Sequence, residues 1–136
     1  MKLFLVCFFV LSFQQLAAAV TVKAACAQTK SPELCASVIG SDPRSRSGDL
    51  RVFSAIVLGK TLSDGNGLKR SCPAAYAGMV NDVGEAIRKL KERQIVTSVD
   101  ESIEKGINAV NGCRESRAGD LVTLLNIAKD VLKILN

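Results

Sequence analysis

Apolar residues recur every three or four positions along most of the chain, which is the spacing of one helix face and not the alternation of a strand. This pattern predicts five helices, at residues 32–40, 49–62, 73–90, 96–110 and 121–135. Short loops join them, and helices joined by short loops pack as antiparallel neighbours. The pattern therefore predicts an all-α fold, an antiparallel helical bundle.

Polar and glycine-rich segments set the expected helix boundaries. The Ser-Pro-Glu sequence at 31–33 is typical of a helix start, with Ser as N-cap and Pro in the first turn. The Asp-Gly-Asn-Gly sequence at 64–67 predicts the end of the second helix, because Gly and Asn tolerate positive φ. Ser98 and Glu101 have the spacing of a capping box, which gives Ser98 as an alternative to Val96 for the start of the fourth helix.

Three helices carry apolar stripes that we expect to form the core. The stripe of the third helix is Tyr76, Val80, Val83, Ile87 and Leu90. The stripe of the fourth helix is Val96, Val99, Ile103, Gly106 and Val110. The main buried residues of the fifth helix are expected to be Leu121, Leu124, Ala128, Leu132 and Leu135.

The first nineteen residues have the three-part layout of a secretory signal peptide. A Met-Lys start is followed by an apolar run at 3–13 and by three alanines at 17–19, which suit a cleavage site. The run is too short to cross a bilayer core, which needs about twenty apolar residues. We therefore expect a signal peptide at 1–19 and one secreted domain at 20–136 that does not enter a membrane.

Composition narrows the possible functions. The formal charge is +5, of which Lys2 contributes the only charge in the first nineteen residues, leaving +4. Basic and acidic residues are mixed and Trp is absent, so a nucleic-acid interface is not indicated. The chain has no His, the commonest general base and zinc ligand. We expect neither an enzyme nor a metal or cofactor site.

Five cysteines are present, and Cys7 lies inside the predicted signal peptide. The other four indicate two disulfides in a small secreted domain, for which three pairings are possible. Cys72 begins the third helix and Cys113 ends the fourth, so an antiparallel hairpin places them side by side. This geometry favours Cys72–Cys113 and leaves Cys26 with Cys35 across a tight turn.

The cysteine pattern resembles a known family. Residues 26–35 read CAQTKSPELC, of the form C-x-x-T-x-x-P-x-x-C, and residues 41–45 with 49–50 read SDPRS and DL. Cys72 precedes Tyr76 by four positions, and Cys113 follows an Ala- and Val-containing helix. Together these features are similar to those of the plant invertase and pectin methylesterase inhibitors.

The resemblance implies a four-helix bundle with an N-terminal disulfide-linked helical hairpin and the same cysteine pairing. It also implies a secreted protein of the apoplast and cell wall, with the vacuole as the alternative location. Family members inhibit by covering the substrate cleft of pectin methylesterase or the active site of acid invertase, without catalytic residues or a cofactor. The segment between Cys35 and Cys72 is about twenty residues shorter than in these relatives, so we expect one bundle helix to be shortened.

Two features favour pectin methylesterase as the target. Segments 41–45 and 49–50 are closest to that branch, and residues 91–95 lack the Pro-Lys-Phe sequence common in invertase inhibitors. An invertase inhibitor and a secreted bundle without inhibitory activity remain as alternatives. A lipid carrier is disfavoured, because such small plant proteins typically need eight cysteines.

We expect the partner-binding residues on the exposed faces of the third and fourth helices, opposite the two apolar stripes. These candidate residues are Asn81, Asp82, Glu85, Lys89, Glu101 and Lys105.

Overall fold

Helices account for all the regular secondary structure of residues 20–135, the part of the chain that the computed structural model describes. The α-helices are α1 (Val22–Ala27), α2 (Pro32–Gly40), α3 (Leu50–Gly65), α4 (Leu68–Ser71), α5 (Pro73–Lys91), α6 (Val96–Asn111) and α7 (Ser116–Lys133), and a 3-10 helix covers Pro43–Ser47. The predicted all-α class is confirmed. The expected signal peptide lies outside the described residues.

Four of the helices form an antiparallel bundle in which α5 packs on α6, α6 on α7, α7 on α3 and α3 on α5. The Ser54 hydroxyl near the start of α3 donates to the Ala128 carbonyl near the end of α7, at 3.2 Å. The α1–α2 hairpin packs on α3 through α2. Its connecting turn is tied to α7, where the Lys30 backbone N–H donates to Asp130 Oδ2 at 3.4 Å.

The bundle interior is filled by large side chains from all four helices. Phe53 of α3, Met79 of α5, Ile103 of α6 and Leu125 of α7 are fully buried. Burial of each such side chain contributes about 1.5–3 kcal/mol. No polar side-chain atom buried within residues 20–135 lacks a hydrogen-bond partner. The described core is therefore not destabilised by buried polar groups without partners.

The predicted face of α5 is wrong by one position at three of its five residues. The buried residues are Ala75, Met79, Val83, Ala86 and Leu90. Tyr76 and Ile87 are only partly buried, and Val80 is 41% exposed. The spacing of apolar residues in the sequence therefore gave the wrong buried residue at these three positions.

The start of one helix agrees with the apolar stripe, and that of another differs from the prediction. Helix α6 begins at Val96 and not at the alternative, Ser98, and neither end of the proposed capping box makes a side-chain cap. The Ile95 carbonyl accepts from the backbone N–H groups of Ser98 and Val99 at 3.0 and 3.3 Å, so the first turn forms earlier. Helix α7 begins at Ser116, well before the first residue of its apolar stripe.

Two predicted ends are also corrected. The break after α3 uses no positive φ: Asn66 and Gly67 have φ values of −52° and −62°, and the chain continues helically into α4. Leu135 lies beyond the end of α7 and is 43% exposed, so it is not a core residue. The other four expected core residues of this helix are buried, as predicted.

The shortening of one bundle helix was expected relative to other proteins and stays a prediction, while within this molecule the bundle helices are similar in length. Helix α3 has 16 residues, as many as α6, while α5 has 19 and α7 has 18. The α3–α5 connection is short and contains the single helical turn α4. The four helices of the bundle therefore have similar heights.

The segment between the hairpin and the bundle is ordered by two aspartates. Asp42 caps the 3-10 helix, and Asp49 caps α3 by accepting from the Arg51 backbone N–H at 2.9 Å. Arg44 donates to both carboxylate oxygens of Asp42, from Nε at 3.1 Å and Nη2 at 2.9 Å. These side-chain bonds, with the bond from the Arg44 backbone N–H, hold the pKa of Asp42 below its ordinary value. Gly48, with φ of 67°, makes the turn between the two helices.

The lowered pKa of Asp42 predicts a loss of stability in acid. Its ionised form is favoured in the folded state, so its contribution is complete above about pH 5 and is lost as the pH falls through the folded-state pKa. We expect Asp42→Asn to lower the melting temperature at neutral pH, and this difference to shrink towards pH 2. Thermal unfolding across this range measures it, with Asp120→Asn as the matched control at an exposed site. A difference for Asp42→Asn that is constant with pH would contradict the assignment.

Candidate functional site

The α5–α6 hairpin is closely packed through glycine. A Cβ placed on Gly78 of α5 would lie 2.9 Å from the Ala109 Cβ of α6, and one on Gly106 would lie 3.1 Å from Val83 Cγ2. Both distances are shorter than ordinary contacts between carbon atoms, so the two helix backbones can approach this closely only because these positions lack side chains. The side chains beside this contact are brought together along one edge of the hairpin.

Two disulfides hold the structure, and both predicted pairings are confirmed. Cys72 and Cys113 join the start of α5 to the residues just after α6, with an S–S distance of 2.09 Å and a Cα–Cα distance of 5.8 Å. Cys26 and Cys35 join α1 to α2, with 2.11 Å and 5.5 Å for the same distances. The first bond closes one end of the α5–α6 hairpin and fixes the two helices against sliding.

Glu115 lies beside the Cys72–Cys113 bond, with a carboxylate oxygen within 4.8 Å of both sulfurs. This group does not form a metal site in the oxidised protein, because a cysteine binds a metal as a thiolate and both sulfurs are in the disulfide. The carboxylate instead accepts a hydrogen bond from the Ser71 hydroxyl. Its role is therefore local, joining the end of α4 to the start of α7.

Four charged residues lie along the contact between α5 and α6, and we call them the charged seam: Asp82, Glu85 and Lys89 of α5 and Lys105 of α6. Asp82, Glu85 and Lys89 are half-buried rather than pointing away from the bundle as predicted. The buried face of α5 lies one position earlier than predicted, as described above. This rotation of the helix turns Asp82, Glu85 and Lys89 towards α6. Lys89 reaches across the seam, and its Nζ donates to the Ser98 carbonyl at 3.1 Å.

Glu85 is the carboxylate with the most cationic surroundings in the seam. Arg88 donates to it from Nε at 3.1 Å and also from Nη2. These bonds are the main reason why the pKa of Glu85 is lowered, and the positive charges of Arg88, Lys89 and Lys105 lower it further. Glu85 is therefore ionised in mildly acidic as well as neutral solution, and the seam keeps its mixed charge there.

The remaining candidate residues flank the seam. Asn81 is exposed, and its amide donates to Asp82 Oδ1 at 3.3 Å. Glu101 and Lys105 are exposed as predicted, one helical turn apart on α6. Within residues 20–135, Glu101 makes no hydrogen bond or ion pair by its side chain. Four of the six candidates thus lie in the seam, Asn81 lies beside Asp82, and Glu101 continues the same edge towards the α5–α6 loop.

Arg88 was missed by the sequence analysis. It lies three residues after Glu85 and four before Glu92, and it forms ion pairs with both. These pairs raise the pKa of Arg88, above all through the bond to Glu85. The sequence did contain a signal for these ion pairs, because opposite charges three and four residues apart on a helix are neighbours. Arg88 therefore sets the orientation of Glu85 at the seam.

The structure defines a class of protein: an all-helical bundle with a disulfide-linked N-terminal hairpin and a second disulfide closing a helix pair. No family model matches the chain, and no curated protein matches it. None of the helices described here is both long and apolar enough to span a membrane.

Proposed function

We propose that the protein is a secreted inhibitor of pectin methylesterase, which binds the enzyme through the charged seam and covers its substrate cleft. The observation that carries the proposal is the closed α5–α6 hairpin, with a disulfide at one end and a continuous row of charged and polar residues along its outer edge. The resemblance of the cysteine motifs to plant enzyme inhibitors supplies the target.

Rigidity supports an inhibitory role for this hairpin. A binding surface that is already ordered loses less conformational entropy on association than a flexible one. The Cys72–Cys113 bond fixes one end of the hairpin, and the glycine contacts at Gly78 and Gly106 fix the distance between its helices. A typical interface needs about 800 Å² on each partner, which two helices of this length can present.

The charge pattern supports binding in a mildly acidic compartment. Glu85 keeps its negative charge there, since its pKa is lowered, and the lysines beside it are cationic. Complementary charge at an interface gives specificity and increases the association rate. The two disulfides are typical of oxidising compartments, which suits secretion to the apoplast and cell wall or delivery to the vacuole.

An inhibition assay tests the proposed function. We expect excess oxidised protein, produced from the full chain in a secretory host, to inhibit plant pectin methylesterase reversibly under mildly acidic conditions. Acid invertase, assayed in parallel, is expected to stay active. Inhibition of invertase alone would show that the protein is an invertase inhibitor. Full activity of both enzymes would favour a bundle without inhibitory function.

A further inference from the structure

A second charged surface lies at the opposite end of α5 from the Cys72–Cys113 bond. A cavity of about 270 Å³ opens there between the 3-10 helix, the start of α3 and the α5–α6 loop. Its rim carries four cationic side chains, those of Arg44, Arg51, Lys91 and Arg93. Its floor is aliphatic and consists of Val52, Ala55 and Leu90.

Two of these arginines are held in place from opposite sides of the cavity. Arg51 of α3 donates from Nη1 to the Gln94 carbonyl of the α5–α6 loop at 2.6 Å. Arg93 of that loop donates from Nη1 to Asp49 Oδ2, at the start of α3, at 3.3 Å. The reciprocal bonds fix both guanidinium groups. Each guanidinium has five N–H donors, so both retain donors for a ligand.

Arg93 occupies a backbone position that favours glycine. It is the one non-glycine residue with positive φ in residues 20–135, at 54°. The Arg93 N–H donates to the Leu90 carbonyl at 3.1 Å and the Gln94 N–H to the Lys89 carbonyl at 3.0 Å. These are the two bonds of a Schellman motif, in which the left-handed position is usually glycine. An arginine at this position lowers the stability of the fold relative to glycine. This cost indicates that the Arg93 side chain has a function of its own.

The local charge balance is positive. Asp42 pairs with Arg44, and Asp49 pairs with Arg93. Arg51 bonds only to a neutral carbonyl group through its side chain, and Lys91 makes no ion pair within the described part of the chain. Four cations therefore face two carboxylates, and the excess positive charge attracts anions.

A second cavity of about 590 Å³ adjoins the first, and Arg44 lines both. The second cavity follows α3 to Gly59 and Lys60, with Val38 and Ile56 as its main apolar residues. From position 51 to position 60 the helix rises about 14 Å. We call the two cavities together the basic groove. It is long, open and shallow, and cations are placed at both ends and in the middle, of which Lys60 at the far end is paired with Asp64 at 3.1 Å.

We propose that the basic groove binds a linear oligosaccharide that carries carboxylates, such as a chain of uronic acids. Arginine forks match the geometry of carboxylates, and the small aliphatic floor suits the flat C–H faces of sugar rings. An acidic peptide fits less well. Helical peptides need deep apolar pockets for anchoring side chains, and extended peptides need a strand edge, which residues 20–135 do not provide.

Binding at the groove is independent of enzyme inhibition by the charged seam, because the two surfaces share no residue. The oligosaccharide would hold the secreted protein at an acidic polysaccharide while the α5–α6 hairpin stays free. Failure of one proposal therefore leaves the other standing.

Calorimetric titration of the full oxidised chain with a short galacturonate oligomer tests this inference. We expect binding that weakens as salt is added, and no binding of the fully methyl-esterified oligomer, which lacks the charges. The variant Lys91→Gln with Arg93→Gly is expected to bind about tenfold more weakly. Its fold is expected to persist, because glycine suits the left-handed position. The matched control is Lys69→Gln with Arg70→Gln, an equal charge change at exposed sites on α4, and its affinity is expected to be unchanged.

Four results would overturn the inference. One is the absence of binding at low salt, and another is an equal loss of affinity in the groove variant and the control variant, which would indicate non-specific attraction by net charge. A hexaglutamate peptide that bound more tightly than the oligomer would assign the groove to acidic peptides. Inorganic sulfate that bound as tightly as the oligomer would reduce the groove to a site for small anions.

Discussion

Replacement of Cys72 and Cys113 together by serine is expected to lower the free energy of unfolding by about 4 kcal/mol. The bond joins residues 41 positions apart, and its loss frees a long loop in the unfolded chain. Since small domains have a net stability of only about 5–15 kcal/mol, this loss removes a large part of the total. Equilibrium unfolding in denaturant measures it, from the midpoint and the slope of the transition.

The shorter disulfide provides the matched control. Cys26 and Cys35 are 9 positions apart, and the same argument gives about 3 kcal/mol for their replacement by serine. We also expect the two variants to differ in where hydrogen exchange increases. Loss of the Cys72–Cys113 bond is expected to increase exchange at the start of α5 and the end of α6. Loss of the Cys26–Cys35 bond is expected to increase it in α1 and α2. A larger cost for the Cys26–Cys35 bond would contradict this account of the bundle.

The sequence predicted the elements that depend on local signals. Pro32 and Pro73 each begin a helix, as a residue without a backbone N–H can do at the first turn. The cysteine pairing followed from the positions of Cys72 and Cys113 at the ends of two antiparallel helices. Both kinds of inference need only the spacing of a few residues along the chain, and both are confirmed.

The rotation of α5 could not be predicted in the same way. The spacing of apolar residues pointed to Val80, but the protein buries Ala75 and Met79, and Gly78 lies against Ala109 across the hairpin. That close contact is a property of two helices together. The rotation of α5 also brings three of the candidate residues into the seam, whereas the sequence analysis placed them on the outer face of the helix.

The basic groove was beyond the reach of sequence patterns for a similar reason. Arg44, Arg51 and Arg93 come from three separate segments, and no periodicity relates them. The bonds that bring them together, from Arg51 to Gln94 and from Arg93 to Asp49, each span more than forty residues. The backbone conformation of Arg93 carries no signal in the sequence, since glycine is the residue that marks such a turn.

Charge reversal at the charged seam is expected to have the largest effect on function. Asp82→Lys with Glu85→Lys places two cations where the proposed interface offers carboxylates. Repulsion between like charges at an interface is costly, so we expect the inhibition of pectin methylesterase to weaken about thirtyfold. The variant Asp82→Asn with Glu85→Gln removes the charges at constant volume, and its effect should be smaller and in the same direction.

Glu33 of α2 and Asp120 of α7 provide the matched control for the charge reversal. Both are exposed, and Asp120 faces the cavity beside Asp64 of α3, on the other side of the bundle from the seam. Glu33→Lys with Asp120→Lys makes the same change in net charge. This control separates an effect of the seam from a general effect of making the protein more basic.

The inhibition constants of these proteins for one pectin methylesterase, under mildly acidic conditions and with melting temperatures checked, test the central claim most directly. The account predicts inhibition by the unchanged protein, inhibition about thirtyfold weaker with the reversed seam, and inhibition by the control equal to that of the unchanged protein. If the folded seam variant inhibits as well as the unchanged protein, or if seam and control variants weaken equally, the charged seam is not the surface that binds the enzyme.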